Sequence, residues 1–327
     1  MKYLIFGIGL SLILFSCGKE MHEPGNLVPE TVDEDASLPS ARINGTLLHT
    51  EATGNPEDPL LVVVHGGPGA DYRSMLNAAV FAGHGFYVAF YDQRGSGLSK
   101  REPRSQYEGE SAVQLFIDDL HALIKYYKVS ETQKVFLLGH SWGAMLATAY
   151  INQHPDRIAG AVLSEPGGFT WTQTSEYLSR SNKIRFFAEA LNNAVFAEQI
   201  IAGRTEHEVL DYKASFFANY ENAPDNTIGN KGHYPQWRQG AVAFQALIDN
   251  AEKYNFDFTV NLSAFTASVL FLYSENNKAY GASWAATVAA PYPNVQLMEV
   301  RDCGHEMLYF GWEDFFPKAL RYLNEMK

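Results

Sequence analysis

The chain has 327 residues, enough for one large domain with an insertion or for two small ones. It is 46% hydrophobic and 19% charged, an ordinary globular composition without repeats or long low-complexity tracts. The net charge of −12, with no Lys/Arg cluster to offset it, argues against a nucleic-acid partner.

The first forty residues stand apart from the fold. Lys2 precedes a short apolar stretch, Tyr3 to Phe15, which is too short to span a membrane comfortably. It ends in Leu14-Phe15-Ser16-Cys17, which is similar to a bacterial lipobox, where cleavage leaves Cys17 as a lipid-modified N-terminus. An ordinary signal peptide or anchor with an incidental cysteine is the competing reading. Residues 1–16 are therefore expected to be a lipoprotein signal peptide. Residues 17–40, polar and acidic with Pro24, Pro29 and Pro39, are expected to be a flexible tether. This places the folded domain, from about Ala41, outside the cytoplasm and anchored in a bacterial envelope through lipid. A lipidated Cys17 leaves Cys303 without a disulfide partner, and Cys303 reads as a small buried residue near the site, with a free thiol as the competing reading.

Arg42 to Glu51 alternates weakly and predicts one early edge strand, followed by a turn over Gly54 to Pro59. Leu60 to Val64 is a continuous apolar run, the pattern of a strand covered on both faces. It leads into His65-Gly66-Gly67-Pro68-Gly69. A glycine-rich loop directly after such a strand lets backbone N–H groups face a developing oxyanion, and Gly67 is the candidate donor. A phosphate-cradling loop is the competing reading, but the lysine and Ser/Thr of that motif are missing. Phe86 to Tyr91 is the next strand and runs into Asp92-Gln93-Arg94-Gly95-Ser96-Gly97. Glu110 to Lys128 has the spacing of a crossover helix.

Val135 to Leu138 predicts another buried strand. Gly139-His140-Ser141-Trp142-Gly143 then matches G-x-S-x-G, and Ala144 to Gln153 continues as helix. Strand, sharp turn and helix make a nucleophile elbow. The glycines admit a turn in which side chains would clash. Ser141 Oγ is held clear of the sheet, above a helix N-terminus that favours negative charge. The N–H of Trp142, next in the chain, is the second candidate oxyanion donor.

In this order, the His65, Asp92 and Gly139 motifs resemble the proline iminopeptidase group of the α/β-hydrolases, clearly over residues 60 to 165 and more loosely over 268 to 327. The resemblance implies an α/β-hydrolase fold. That fold is a mostly parallel, eight-stranded-type sheet flanked by helices, with a helical cap inserted after the sixth strand. The expected core is 41–168 with 259–327, and the expected cap is 169–258. In the resembled family the Asp-Gln-Arg-Gly loop is structural, so Asp92 and Arg94 read as scaffold. Ile158 to Leu163 forms the sixth strand, and Ser164-Glu165-Pro166 closes it. The stretch assigned to the cap has helical periodicity and many aromatics, among them Tyr234, Trp237 and Phe244, and would shield the serine from water. Peptidases of this group bind the substrate's α-amino group through acidic cap residues. None of Glu176, Glu189, Glu198, Glu206, Glu208 and Glu221 matches such a position.

The core resumes with a strand at Ser268 to Tyr273, a helix at Gly281 to Ala290 and a last strand at Val295 to Val300. A final amphipathic helix covers Trp312 to Glu325. Gly304-His305, just after the last strand, is where this fold places its catalytic histidine; His140 and His65 read as structural neighbours. The family's usual acid address, after the seventh strand, is occupied by Asn277, which cannot offset an imidazolium charge. Three readings are open. Glu165 can serve from the end of the sixth strand, the address used by haloalkane dehalogenases, with whose pattern Ser141-Trp142-Gly143 and Pro155-Asp156-Arg157 also fall in step. Glu275 can reach across from two residues earlier. The third reading is a degenerate dyad or a pseudoenzyme.

The expectation is a serine hydrolase with Ser141, His305 and Glu165 as its triad and no metal or organic cofactor. Its substrate would be a small peptide cut at an N-terminal proline or other small residue. A carboxylesterase or lactonase with the same triad, and a noncatalytic ligand-binding homologue, are the alternatives.

Overall fold

The strands at residues 60–64, 135–140 and 160–164 are built from residues buried on both faces, and this shapes the architecture. The computed structural model describes residues 27–181, 203, 205–220 and 227–327. The expected signal peptide, Cys17 and the first part of the tether lie outside the described residues, as do Glu189, Glu198 and Glu221 of the expected cap.

The strands are β1 (Ser40–Ile43), β2 (Thr46–Thr53), β3 (Leu60–Val64), β4 (Tyr87–Tyr91), β5 (Val135–His140), β6 (Gly160–Ser164), β7 (Val269–Ser274) and β8 (Val295–Val300). They form one eight-stranded sheet in the order β1-β2-β4-β3-β5-β6-β7-β8. The pairs β1/β2 and β2/β4 are antiparallel, and every later pair is parallel. Every residue of β3, β5 and β6 is buried. Alternation divides their side chains between two cores. Leu60, Val62, Val64 and Leu137 pack with Phe116 and Leu120 of α1 (Ala112–Tyr127) and Leu146 and Tyr150 of α2 (Trp142–Gln153). Leu61, Val63, Phe136 and Leu138 pack on the other face with Phe81 and with Phe315 and Leu323 near the C-terminus. This is the sheet and helix arrangement expected of an α/β-hydrolase.

Between β6 and β7 lie α3 (Trp171–Arg180), α4 (Glu206–Tyr220) and α5 (Ala241–Tyr254). After β7 come α6 (Gly281–Ala289) and, beyond β8, α7 (Trp312–Met326). Buried Asp211 of α4 ties the inserted helices to the core. Its Oδ2 accepts from Arg101 Nε and Arg238 Nε, both at 2.8 Å, and its Oδ1 accepts from Ala241 N at 2.9 Å. Gly240 N–H also donates to Gly69 O at 2.7 Å, so the inserted segment is fastened to the glycine-rich loop. No helix among the described residues is long and apolar enough to cross a membrane.

Two expectations need correction. The early edge strand is a hairpin, because Asn44 (φ 45°) and Gly45 (φ 82°) both adopt the left-handed conformation of a tight two-residue turn. Residues 27–39, assigned to the flexible tether, are instead docked. Val28 and Val32 are buried, Val32 N–H donates to Leu98 O at 2.9 Å and Leu27 N–H donates to Glu208 Oε1 at 2.8 Å. Buried Val28 and Val32, together with these hydrogen bonds, hold an otherwise acidic stretch against the core.

Asp92 and Arg94 sit where scaffold residues belong. Asp92 accepts from Tyr72 N, Leu98 N and His49 Nδ1. Arg94 grips buried Asp119 through Nε (2.8 Å) and Nη2 (2.7 Å). Removing one partner of a buried pair strands the other charge. Arg94→Ala is therefore expected to lower unfolding free energy in urea by about 3–5 kcal/mol. A loss under 1 kcal/mol would show that Asp119 finds other compensation.

Candidate active site

Because β3 to β8 run parallel, their carboxyl ends share one edge of the sheet, and the loops that follow them meet there. At the end of β5 the chain turns through Ser141 at φ 53° and ψ −121°, a conformation that costs a non-glycine residue roughly 1–3 kcal/mol. Close packing enforces it. A Cβ on Gly143 would run into the carbonyl oxygen of Val64, and one on Gly139 would lie 2.6 Å from Ala144 Cα. Ser141 N–H donates to Ser164 O at 2.9 Å. Trp142 opens α2, where the first N–H groups have no intrahelical acceptor.

The glycine-rich loop after β3 lies alongside. Gly67 has φ 118°, and a side chain there would crowd the backbone nitrogens of Gly69 and Ala70 at 2.7 Å. Gln93 joins this loop to the elbow: its amide Nε2 donates to His65 O (2.8 Å), and its Oε1 accepts from Trp142 Nε1 (2.8 Å). His65 Nδ1 donates to Gly66 O while Nε2 accepts from Gln93 N–H. Burial pushes the His65 pKa down, so the ring stays neutral and serves as a brace.

His305 follows β8. Its N–H donates to Ile228 O at 2.9 Å, and Gly304 packs directly on the backbone of Gly229. Its Nδ1 lies 2.7 Å from Glu165 Oε2. Glu165 is fully buried at φ 43°, and it is heavily solvated by protein donors. Oε1 accepts from Ser274 N (2.7 Å) and Ser274 Oγ (2.6 Å), and Oε2 also accepts from Asn277 Nδ2 (2.8 Å). Burial raises the Glu165 pKa, and the hydrogen bonds from Ser274 and Asn277 pull it back. Glu275 points elsewhere: it is exposed and accepts from Asp302 N–H.

Asn277 therefore does not leave a gap. It occupies the expected acid address as a donor to a carboxylate that stands elsewhere. An aspartate there would face Glu165 as a second buried negative charge. Sequence reasoning missed this role, along with Ser274, Gln93 and Tyr177. The Tyr177 hydroxyl of α3 accepts from Asn277 Nδ2 at 3.2 Å. The signal available was Asn277 itself, a departure that needed a partner.

Ser141, Trp142, Gly67 and His305 line one cavity of about 570 Å³. Met145, Trp171, Leu178, Phe244 and Phe256 make its walls chiefly apolar, while Glu306 and Lys213 add charge. Cys303 lies beneath, its thiol fully buried and pushed up to about 12 by desolvation. The structure thus gathers Ser141, His305, Glu165, Gly67 and Trp142 at one place and leaves Glu275 outside it.

Comparison with known proteins places the chain in a family. The chain is 30% identical to a proline iminopeptidase of Arabidopsis thaliana over 46% of its own length and 35% of that protein. The chain thus spans about a third of that relative. It is 25% identical to proline iminopeptidase PfmaB of Pestalotiopsis fici over 85% of this chain and 96% of the other. The solved enol-lactonase of Burkholderia xenovorans LB400 has the same fold, with a TM-score of 0.58, 19% identity and coverage of 88% of this chain and 100% of that one. The family model described as serine aminopeptidase, S33 (Hydrolase_4) matches residues 55–309, and the chain belongs to that family of α/β-hydrolases.

Proposed function

We propose that this serine hydrolase is an aminopeptidase that removes an N-terminal proline or other small residue from short peptides through an acyl-enzyme. The observation that carries the reading is the 2.7 Å contact between Glu165 and His305 Nδ1 beside the cavity that holds Ser141. Glu165 fixes the proton on Nδ1, so Nε2 carries the lone pair that takes the proton of Ser141 Oγ during attack on the carbonyl. The N–H groups of Gly67 and Trp142 hold the oxyanion, each worth on the order of 3 kcal/mol. His305 then returns the proton to the leaving amine, and water releases the acyl group. Glu306, on the cavity wall, offers a counter-charge to a substrate ammonium group. Placement in the cell envelope through Cys17 belongs to the same proposal.

A second reading, a carboxylesterase or lactonase with the same triad, is favoured by the chiefly apolar cavity wall. Turnover of a proline anilide and of a short-chain nitrophenyl ester separates the two, with Ser141→Ala as blank. Anilide cleavage lost in the blank is the expected result. Ester cleavage alone supports the second reading, and silence on both leaves a noncatalytic binding protein.

Glu165→Gln is expected to lower kcat by roughly a thousandfold or more, since the imidazolium loses its counter-charge. Asn277→Asp alone should also reduce activity, by setting two buried carboxylates together. Combined with Glu165→Gln it should recover at least about tenfold of the loss, because the double variant restores one carboxylate to the pair. Steady-state rates of the four proteins test this cycle.

The pH dependence has a definite sign. The folded state binds the Glu165 proton more tightly than the unfolded chain does, so this group's contribution to stability is greatest below the ordinary carboxylate range. That contribution is lost as pH rises through the raised folded value. Activity runs the other way, because it needs the ionised form. Ser274→Ala removes a hydrogen bond that favours the carboxylate, so the acid limb of kcat/KM is expected to move to higher pH. A limb that stays in place would mean that another group sets it.

A further inference from the structure

We propose that His140, His305 and Glu306 form a zinc site at the base of the cavity, and that zinc bound there blocks the serine chemistry. One potential ligand atom from each of the three lies within 4.8 Å of the others. A tetrahedral zinc ion with bonds of about 2.0–2.2 Å sets its ligands roughly 3.4 Å apart. Glu306 Oε2 and His140 Nδ1 are already 3.9 Å apart, and metal binding draws the set together through side-chain shifts.

The tautomers are prepared for a metal. His140 Nε2 lies 2.9 Å from the carbonyl oxygen of His305, an acceptor only, so Nε2 carries the proton and the neutral ring keeps its lone pair on Nδ1. His305 donates from Nδ1 to Glu165, which puts its lone pair on Nε2. Each imidazole thus has the outer acceptor that zinc-bound histidines use to fix ring and tautomer, a carbonyl for one and a carboxylate for the other. Glu306 is held by its N–H, which donates to Asn230 Oδ1 at 2.9 Å. Position 66 matters here as well. A Cβ on Gly66 would lie 3.1 Å from His140 Nδ1, so a side chain there would crowd the ring. Two imidazoles and one carboxylate are a donor set suited to zinc, with a fourth position for water.

Zinc binding follows from this geometry alone. Its inhibitory effect rests on the serine hydrolase mechanism above, since the metal would take the His305 lone pair that accepts the Ser141 proton. The competing location is the outer pair His121 and His154, whose ring centroids are 5.2 Å apart.

Zinc titration of the full-length protein against a metallochromic chelator, alongside fluorophosphonate labelling of Ser141, tests both parts. One equivalent is expected to bind, with affinity reduced on the order of tenfold or more in Glu306→Gln and in His140→Gln and unchanged in His154→Gln. His140→Gln keeps a donor toward the His305 carbonyl, and Glu306→Gln serves if that variant does not fold. Labelling should fall as zinc occupancy rises and return with a chelator. Absence of binding at millimolar zinc, or affinity that follows His154 instead, overturns the site. Binding at the site with undiminished labelling overturns the inhibition. Binding at the site in a protein that never labels upholds the metal site and removes the hydrolase reading instead.

Discussion

A carboxylate without exposed surface must be surrounded by donors, and Glu165 sets that requirement for the whole catalytic edge of the sheet. Its oxygens take the backbone and side chain of Ser274, the amide of Asn277 and the ring of His305. These donors come from the end of β7, from the loop that follows it and from the loop beyond β8, while the acid itself follows β6. Their positions therefore hold only while β6, β7 and β8 stay in register. The sheet and the acid stabilise one another, and the histidine orientation follows from both.

The elbow depends on a constraint of another kind, steric exclusion. Ser141 holds its unfavourable backbone angles between two glycines whose sites Val64 and Ala144 close to any side chain. Gln93 then links the elbow to the glycine-rich loop, and Gly240 links that loop to the inserted helices. Pocket wall and reactive centre are thus parts of one packed unit. A change in the inserted segment is linked to the elbow through the Gly240–Gly69 backbone contact and the Gln93 side chain.

Much of this arrangement is legible in the sequence, for specific reasons. β3 and β5 announce themselves as apolar runs because both faces are covered, and the elbow glycines are a direct imprint of the approach of Val64 to Gly143 and of Ala144 to Gly139. Glu165 could be named as an acid only as one of three readings, since its donors are distant in the chain and ordinary in type. Asn277 is visible as an anomaly, but its meaning needs the 2.8 Å contact. The first hairpin was hidden by reading one alternating run across Asn44-Gly45, although that pair is a turn signal. Gln93 gives no signal by composition, because its partners His65 and Trp142 belong to two other motifs.

The docked N-terminal stretch carries a mechanical consequence. Leu27 holds α4 through Glu208, and the Pro29 carbonyl accepts from Arg238 at 2.8 Å, next to the Asp211 pair. Residues 27–40 are thus a strap against the inserted helices, although their composition suggests slack chain. Tension applied upstream of Leu27 is borne first by those helices, before it reaches the sheet. Cutting the chain at Ala41 would release the strap and take Pro29 and Glu34 away from Arg238, loosening the roof over Ser141 while leaving the sheet beneath it intact.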